Sequence, residues 1–177
     1  MKRGYLLIAV LCGITAFFLP QPSFAKQSLM DSLLGNHAKE ITGYPYIIDA
    51  DTIEISHQRI RLYGIDAPET RQVCMKDQKD WLCGQASTEG LSKFLLSDQV
   101  TCQVKDIDQY SRFVALCRVR DIDISKWLVA EGYAVAYRHY STDYVPDEDA
   151  ARKAKKGIWA SKFEMPWNWR RNQKRRH

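Results

Sequence analysis

The sequence has no C-x-x-C pair, no internal repeat, no low-complexity tract and no apolar run of about 20 residues. Zinc ribbons, solenoids, disordered segments and spanning helices therefore lack their usual signatures. Nine Gly and six Pro in 177 residues are too few for a collagen-like or linker-like chain. At roughly 100 to 200 residues per domain the length suits one domain, which excludes a multidomain machine. What is present is ordinary for a globular chain: 45% hydrophobic and 11% aromatic residues, enough for one core. Lys and Arg number 26 against 21 Asp and Glu, so the formal charge is +5, a hint of an anionic partner such as nucleic acid or a lipid surface.

Residues 1–25 open with Lys2 and Arg3, continue as an apolar run from Tyr5 to Leu19, and end in Pro20, Pro22 and Ser23-Phe24-Ala25. This is the pattern of a secretory signal; the run, about 15 residues, is short for an uncleaved anchor. Cleavage near Ala25 is expected to leave a secreted or periplasmic chain from Lys26, with no membrane attachment and a charge of +3 once Lys2 and Arg3 are lost. Cys12 leaves with the signal. Four cysteines remain (Cys74, Cys83, Cys102 and Cys117), an even number in an oxidising compartment, which favours two disulfides. Three pairings are open. The short loop between them favours Cys74 with Cys83, and Cys102 with Cys117 follows if their apolar, alternating runs are neighbouring strands. The competing zinc site lacks a suitable spacing and a nearby His.

Residues 26–43 read as a polar lead-in and 44–165 as the folded domain. Period-two alternation over Thr52–Ser56 and Arg59–Tyr63, turning at His57-Gln58, predicts a hairpin with Ile53, Ile55, Ile60 and Leu62 toward a core, broken by Gly64. Helices are expected over Gln85–Leu96, about Ile122–Glu131, and from Pro146 with Asp147, Glu148 and Asp149 in its first turn to Arg152–Lys156 before Gly157. Strands around Cys102 and Cys117 lie between the first two, joined by the polar turn Asp106–Ser111. The order suggests a small α+β domain on a compact antiparallel β-barrel. The tail, residues 166–177, carries Arg170, Arg171, Lys174, Arg175 and Arg176 and no acid, so the rest of the mature chain is near −2. The tail reads either as a frayed terminus or as a phosphate-attracting segment, and Trp167 and Trp169 as residues that pack on the domain.

The densest chemistry lies between Asp49 and Glu69. A hairpin returns its ends to one place, so Asp51 before the first strand and Asp66 after the second are positioned to meet. Converging carboxylates repel unless a cation lies between them, and oxygen ligands select Ca²⁺ or Mg²⁺. Turn formation explains Asp49, Asp51 and Asp66 equally well on composition alone. Arg61, between two acidic segments, adds the guanidinium that suits a phosphate.

Asp49-Ala50-Asp51-Thr52, Arg61-Leu62-Tyr63-Gly64-Ile65-Asp66-Ala67-Pro68-Glu69-Thr70, Asp108-Gln109-Tyr110-Ser111-Arg112 and Lys155-Lys156-Gly157-Ile158-Trp159 resemble, in order and spacing, the staphylococcal nuclease (thermonuclease) family over about residues 44–160. The resemblance implies an OB-fold, a five-stranded antiparallel β-barrel with about three α-helices. It also implies a Ca²⁺-dependent phosphodiesterase acting on DNA and RNA with little sequence preference and leaving 3′-phosphate ends; separately, a monomer is expected. By the same resemblance Asp51 and Asp66 are carboxylate ligands of Ca²⁺, and Ala67, where the family's founding member has Thr, supplies a main-chain carbonyl. Glu69 orients or deprotonates the attacking water, and Arg61 and Arg112 hold the phosphate. Asp49 matches an acid supporting the ligands. Tyr110 and Tyr137 resemble tyrosines of the nucleotide pocket, Tyr137 only across a one-residue gap. Two other readings stand beside the nuclease: an OB-fold module that binds single-stranded nucleic acid without cutting it, and a disulfide-stapled envelope adaptor whose tail binds a polyanion.

Overall fold

The computed structural model describes residues 39–175. The expected secretory signal, most of the lead-in, Arg176 and His177 lie outside the described residues. The hairpin forms where the alternation places it. Strands β3 (Thr52–Ile55) and β4 (Gln58–Leu62) pair antiparallel, with Ser56 and His57 at φ 50° and 61° in a tight turn that follows the right-handed strand twist. Ile53, Ile55, Ile60 and Leu62 are at most 1% exposed, each contributing roughly 1.5–3 kcal/mol by leaving water.

Strand β1 (Glu40–Gly43), at the end of the segment read as a lead-in, pairs with β8 (Val100–Ile107) and buries Ile41. Strand β2 (Tyr46–Asp49) pairs with β3 through a register shift between Ile47 and Asp49. The short strand β5 (Ile65–Asp66) follows β4, and a side hairpin of β6 (Cys74–Lys76) and β7 (Lys79–Trp81) follows in turn. Strand β9 (Phe113–Val119) pairs antiparallel with β8, and β10 (Ile122–Asp123) folds back on β9. The main sheet has the order β1-β8-β9-β4-β3-β2, with β10 added at β9. It is a curled half-barrel in keeping with the OB-like expectation. Every pairing within it is antiparallel except β4 with β9, which is parallel.

Among the described residues there are four α-helices, α1 (Cys83–Leu95), α2 (Ile124–Ala130), α3 (Val145–Lys153) and α4 (Pro166–Lys174), of which the first two pack on this sheet. The fourth is the segment read from sequence as a basic tail. Helix α2 begins two residues later than its pattern suggests, because Ile122–Asp123 is taken by β10 and the Asp123 side chain then caps the helix by accepting from the Lys126 amide. Helix α3 starts with Pro146 in its first turn and stops before Lys155 and Gly157, at φ 52° and 49°; a 3₁₀ turn, Gly157–Ala160, follows. Strand β11 (Val135–Ala136) pairs with β5. It is locked to α3 by Glu148, a fully buried carboxylate that accepts from the Ala136 amide at 3.0 Å and from Arg138 at 2.6 Å.

Both disulfides take the favoured pairing. Cys102 and Cys117 face each other across β8 and β9, and Cys74 joins Cys83. The second bridge belongs to a cluster of Cys74, Cys83, Val135 and Ile158, against which Trp81, Trp159, Phe163, Met165 and Trp167 pack. This cluster seats α4. No helix among the described residues is long and apolar enough to cross a membrane.

Candidate active site

The site begins with cross-strand register. Thr52 lies opposite Arg61 in the β3–β4 pair, and Arg61 lies beside Val114 in the parallel β4–β9 pair, so Arg61 stands between the entry to β3 and the start of β9. Its guanidinium donates through Nη1 to Asp51 Oδ1 at 2.9 Å and through Nη2 to Asp66 Oδ1 at 2.8 Å. One planar group thus spans the two carboxylates whose meeting the hairpin implied. Asp51 is 4% exposed; its Oδ1 also accepts from the Thr52 hydroxyl, and its Oδ2 accepts from the Ala67 amide at 3.0 Å. Asp49, beside the β2 irregularity, accepts from the Asp51 amide at 3.0 Å and shapes the turn into β3.

Asp66 is fully buried, held in β5 opposite Val135. Glu69 follows on a loop closed by the Gln72 amide, which donates to the Glu69 carbonyl at 2.7 Å, and by the Gly84 amide, which donates to Gln72. Gly84, at the start of α1, lies so close to the Glu69 carbonyl that a Cβ there would overlap it. Only glycine permits that approach.

Arg112 is aimed by the β8–β9 turn. Asp108 Oδ1 accepts from the Tyr110 and Arg112 amides, and its Oδ2 accepts from Arg112 Nε at 2.8 Å. The far end of the guanidinium approaches the Thr52 hydroxyl at 3.4 Å. Tyr137 hydrogen-bonds through its amide to Gly64 and packs its ring on Tyr140 and Trp167, while Tyr110 stands exposed at the rim. Asp49, Asp51, Arg61, Glu69, Tyr110, Arg112 and Tyr137 line one open cleft of about 1080 Å³. Every side chain picked out from sequence for the catalytic, metal and substrate roles thus lies in or immediately beneath one cleft.

A further residue was not foreseen. Arg170 of α4 donates through Nη1 to Asp66 Oδ1 at 3.0 Å and to Glu69 Oε1 at 2.8 Å, and through Nη2 to Asp66 Oδ2 at 2.8 Å. The only signal was its place, with Trp167, Arg171 and Lys174, on one helical face of the tail. Asp108 and Thr52, which hold Arg112, lie within the motifs that carry the resemblance, and only the fold shows that they orient it.

The electrostatics follow from burial and neighbours. Burial, then the Asp51 charge, pushes Asp49 up to about 7. Burial also raises Asp51, but the Arg61 charge, the Ala67 amide and the Thr52 hydroxyl outweigh it, so this carboxyl sits below its ordinary value. Burial and the Asp51 charge lift Asp66 above its ordinary value against the Arg170 and Arg61 guanidiniums. Both arginines are raised by the carboxylates they touch despite burial, and stay charged.

The donor set at the centre is all oxygen, with two buried carboxylates brought to one guanidinium edge. That suits a hard divalent cation and not zinc. No group of three or more His, Cys, Asp or Glu side chains converges as a metal cage among the described residues. Asp51 and Asp66 are the side chains that could hold such a cation, which would share or displace their present contacts to Arg61, Arg170, Thr52 and the Ala67 amide, as suits a weak site.

A family model described as staphylococcal nuclease homologue matches residues 59–161. The chain is 35% identical over 148 residues to the succinoglycan biosynthesis protein ExoI of Rhizobium meliloti (strain 1021), covering 77% of this chain and 76% of that one. It is 32% identical to an uncharacterized endonuclease of Escherichia coli, covering 70% of this chain and 80% of that one. It is also 32% identical to a probable staphylococcal-like nuclease of Oryza sativa subsp. japonica, of whose length the match covers 34%. Helix α4 lies beyond the residues that the family model matches.

Proposed function

The chain belongs to the staphylococcal nuclease family, and from that premise we propose that it is an exported Ca²⁺-dependent phosphodiesterase that hydrolyses DNA and RNA with little sequence preference and leaves 3′-phosphate ends. The observation that carries this reading is the convergence of Asp51, Asp66, Arg61, Glu69 and Arg112 in and beneath one cleft. Attack on a phosphodiester adds negative charge to an anionic centre, so fixed cations must stand where that charge develops.

Asp51, Asp66 and the Ala67 carbonyl are the groups that would hold Ca²⁺, which supplies Lewis-acid charge and a place for water. Arg61 is already oriented by its two carboxylates, and Arg112 by Asp108 and Thr52. Arg112 is thus preset for a phosphate, whereas Arg61 shares its carboxylates with the metal; each offers a planar, permanently charged donor. Glu69 is held through Oε1 by Arg170, which leaves Oε2 to take a proton from water. The open cleft admits a strand with unpaired bases, and Tyr110 and Tyr137 provide ring faces at its rim.

Export is supported by the leader pattern of residues 1–25 and by two disulfides, which persist in oxidising compartments. Such compartments also supply the calcium that a weak site needs. We take the protein to act as a monomer with no membrane attachment. The test is digestion of single-stranded DNA, duplex DNA and RNA by the purified protein, with Ca²⁺ and with chelator, beside Glu69→Gln. Cleavage that requires Ca²⁺ and falls on the order of a hundredfold in the folded mutant is expected. A folded, oxidised protein that binds single strands and cuts nothing overturns the reading in favour of a binding module.

A further inference from the structure

Helix α4 and its C-cap Arg175 present Trp167, Arg170, Arg171, Lys174 and Arg175, residues spaced i, i+3, i+4, i+7 and i+8, to the same cleft. That spacing is one face of an α-helix, and on α4 this face carries four cations and no acid. Its other contacts hold it to the body: Pro166 is buried, Met165 and Trp167 pack on the Cys74–Cys83 cluster, and Asn172 donates to the Glu164 carboxylate. Arg170 is spent on Asp66 and Glu69, which pins the helix at the centre of the site. Arg171, Lys174 and Arg175 make no ion pair with any described residue; Arg171 donates only to Asn168.

Like charges three and four residues apart on one helix face are destabilising. Position near the C-terminal end, where the helix dipole is negative, offsets part of that cost. The remainder is relieved by an anion that meets several of the cations together. From the opposite wall Arg59 and Arg112 also reach the cleft, Arg59 paired with Glu54 and Arg112 with Asp108. From Arg170 to Arg175 the helix rises about 7.5 Å, so its cations extend beyond what a single phosphate at the carboxylate centre touches.

We propose that α4 is a multi-phosphate subsite, binding the backbone of a polynucleotide strand beyond the phosphate that lies at Asp51, Asp66 and Arg61, and so biasing the protein toward strands of several nucleotides over dinucleotides. The proposal deepens the nuclease reading and rests on it for the identity of the strand. It gives the helix, which lies past the residues shared with the family model, a role in substrate choice. Contacts to the backbone carry no base preference, in keeping with an enzyme that cuts many sequences.

The test uses the purified protein carrying Glu69→Gln, so that bound strands survive, with and without Arg171→Gln, Lys174→Gln and Arg175→Gln together. Affinities for oligothymidylates of increasing length, from a dinucleotide with one phosphodiester to about twelve nucleotides, are measured over a range of salt. With α4 neutralised, affinity for the longest strand is expected to fall at least about tenfold. The slope of log affinity against log salt should shrink by about 2, as three lost contacts on a single strand require, while dinucleotide affinity stays within about twofold. Unchanged long-strand affinity and slope overturn the proposal, as does an equal loss for the dinucleotide, which would mean general damage to the site. Loss of binding to anionic vesicles with oligonucleotide binding intact overturns it in favour of a lipid surface. Cleavage by the parent protein is scored separately. Length-dependent binding through α4 without Ca²⁺-dependent cleavage would sink the nuclease reading and leave the subsite, whereas cleavage with affinity indifferent to α4 would do the reverse.

Discussion

Arg170 and Asp66, 104 residues apart in sequence, meet in a bidentate ion pair, Nη1 and Nη2 lying 3.0 and 2.8 Å from the two carboxylate oxygens. The same guanidinium reaches Glu69, so the last helix compensates two acids of the centre. Removing it in Arg170→Ala leaves Glu69 unpaired and buried Asp66 with Arg61 alone, at a cost of about 2 kcal/mol. A divalent cation at the same carboxylates would recover part of that loss. Millimolar Ca²⁺ is therefore expected to raise the melting temperature of Arg170→Ala more than that of the parent, measured against chelator. Equal shifts would show that the arginine does not balance the carboxylates proposed to hold the metal.

Arg112 is fixed at Nε by Asp108 and at its far end by Thr52, a geometry that a lysine cannot reproduce. Arg112→Lys is expected to lose at least about tenfold in kcat. Asp108→Asn, which keeps Arg112 but loosens its aim, should fall between the mutant and the parent. Steady-state kinetics on single-stranded DNA decide this, and near-parental turnover in Arg112→Lys would remove that residue from the mechanism.

In an exposed helix interior Gly→Ala gains up to about 1 kcal/mol. At Gly84 the added methyl meets the Glu69 carbonyl, so Gly84→Ala should instead cost about 1–3 kcal/mol by overpacking and shift the Glu69 loop. Thermal melting and turnover are expected to fall together, whereas Thr88→Ala, one turn further along α1, should leave turnover unchanged.

The two disulfides separate stability from catalysis. Replacing both Cys74 and Cys83 by Ser should cost about 2–3 kcal/mol and lower turnover, because the bridge belongs to the cluster that seats α4 and lies beside the Glu69 loop. Replacing Cys102 and Cys117, which join β8 to β9 inside the sheet, should cost stability with little change in turnover of the folded protein. Equal activity after selective reduction of the Cys74–Cys83 bridge would count against its role at the site.

Asp49 gives a pH signature with a definite sign. Its carboxyl ordinarily titrates near 3.8 and rises to about 7 in the fold, through burial and the Asp51 charge. The folded state therefore binds the proton more tightly than the unfolded chain, and this stabilisation, complete below about 4, is lost as pH rises through about 7. In chelator the melting temperature is expected to decline between about pH 5 and 8, and Asp49→Asn, permanently uncharged, to flatten that decline. A slope unaltered by the substitution would place its origin elsewhere.

Much of this is legible in the chain because the signals are local. The Ile53, Ile55, Ile60 and Leu62 alternation specifies a hairpin and its buried face, and Pro146 with its following acids marks the start of α3. The meeting of Asp51 and Asp66 is legible too, because a hairpin returns its ends to one place. Alternation does not name a partner strand, which is why the parallel β4–β9 pairing, the contact that carries Arg112 toward Arg61, is not readable. Glu40–Gly43 is too short, with one buried residue, to stand out as a strand. Helix α4 is polar, and its cleft-facing spacing resembles any solvated basic helix until its neighbours are known. Arg170 acquires meaning only from acids that lie about a hundred residues upstream.

That separation bears on how the protein matures and fails. Contacts so distant along a chain close late in folding, since the loop entropy must be lost before they form. Segments held by few such contacts open ahead of the core. The Arg170 clasp is therefore a reporter of completed folding: hydrogen exchange should find the amides of α4 opening at lower free energy than those of β3, β4 and β9. On warming, the protein should pass through a form whose half-barrel is intact but whose acidic centre has lost one of its two guanidinium partners.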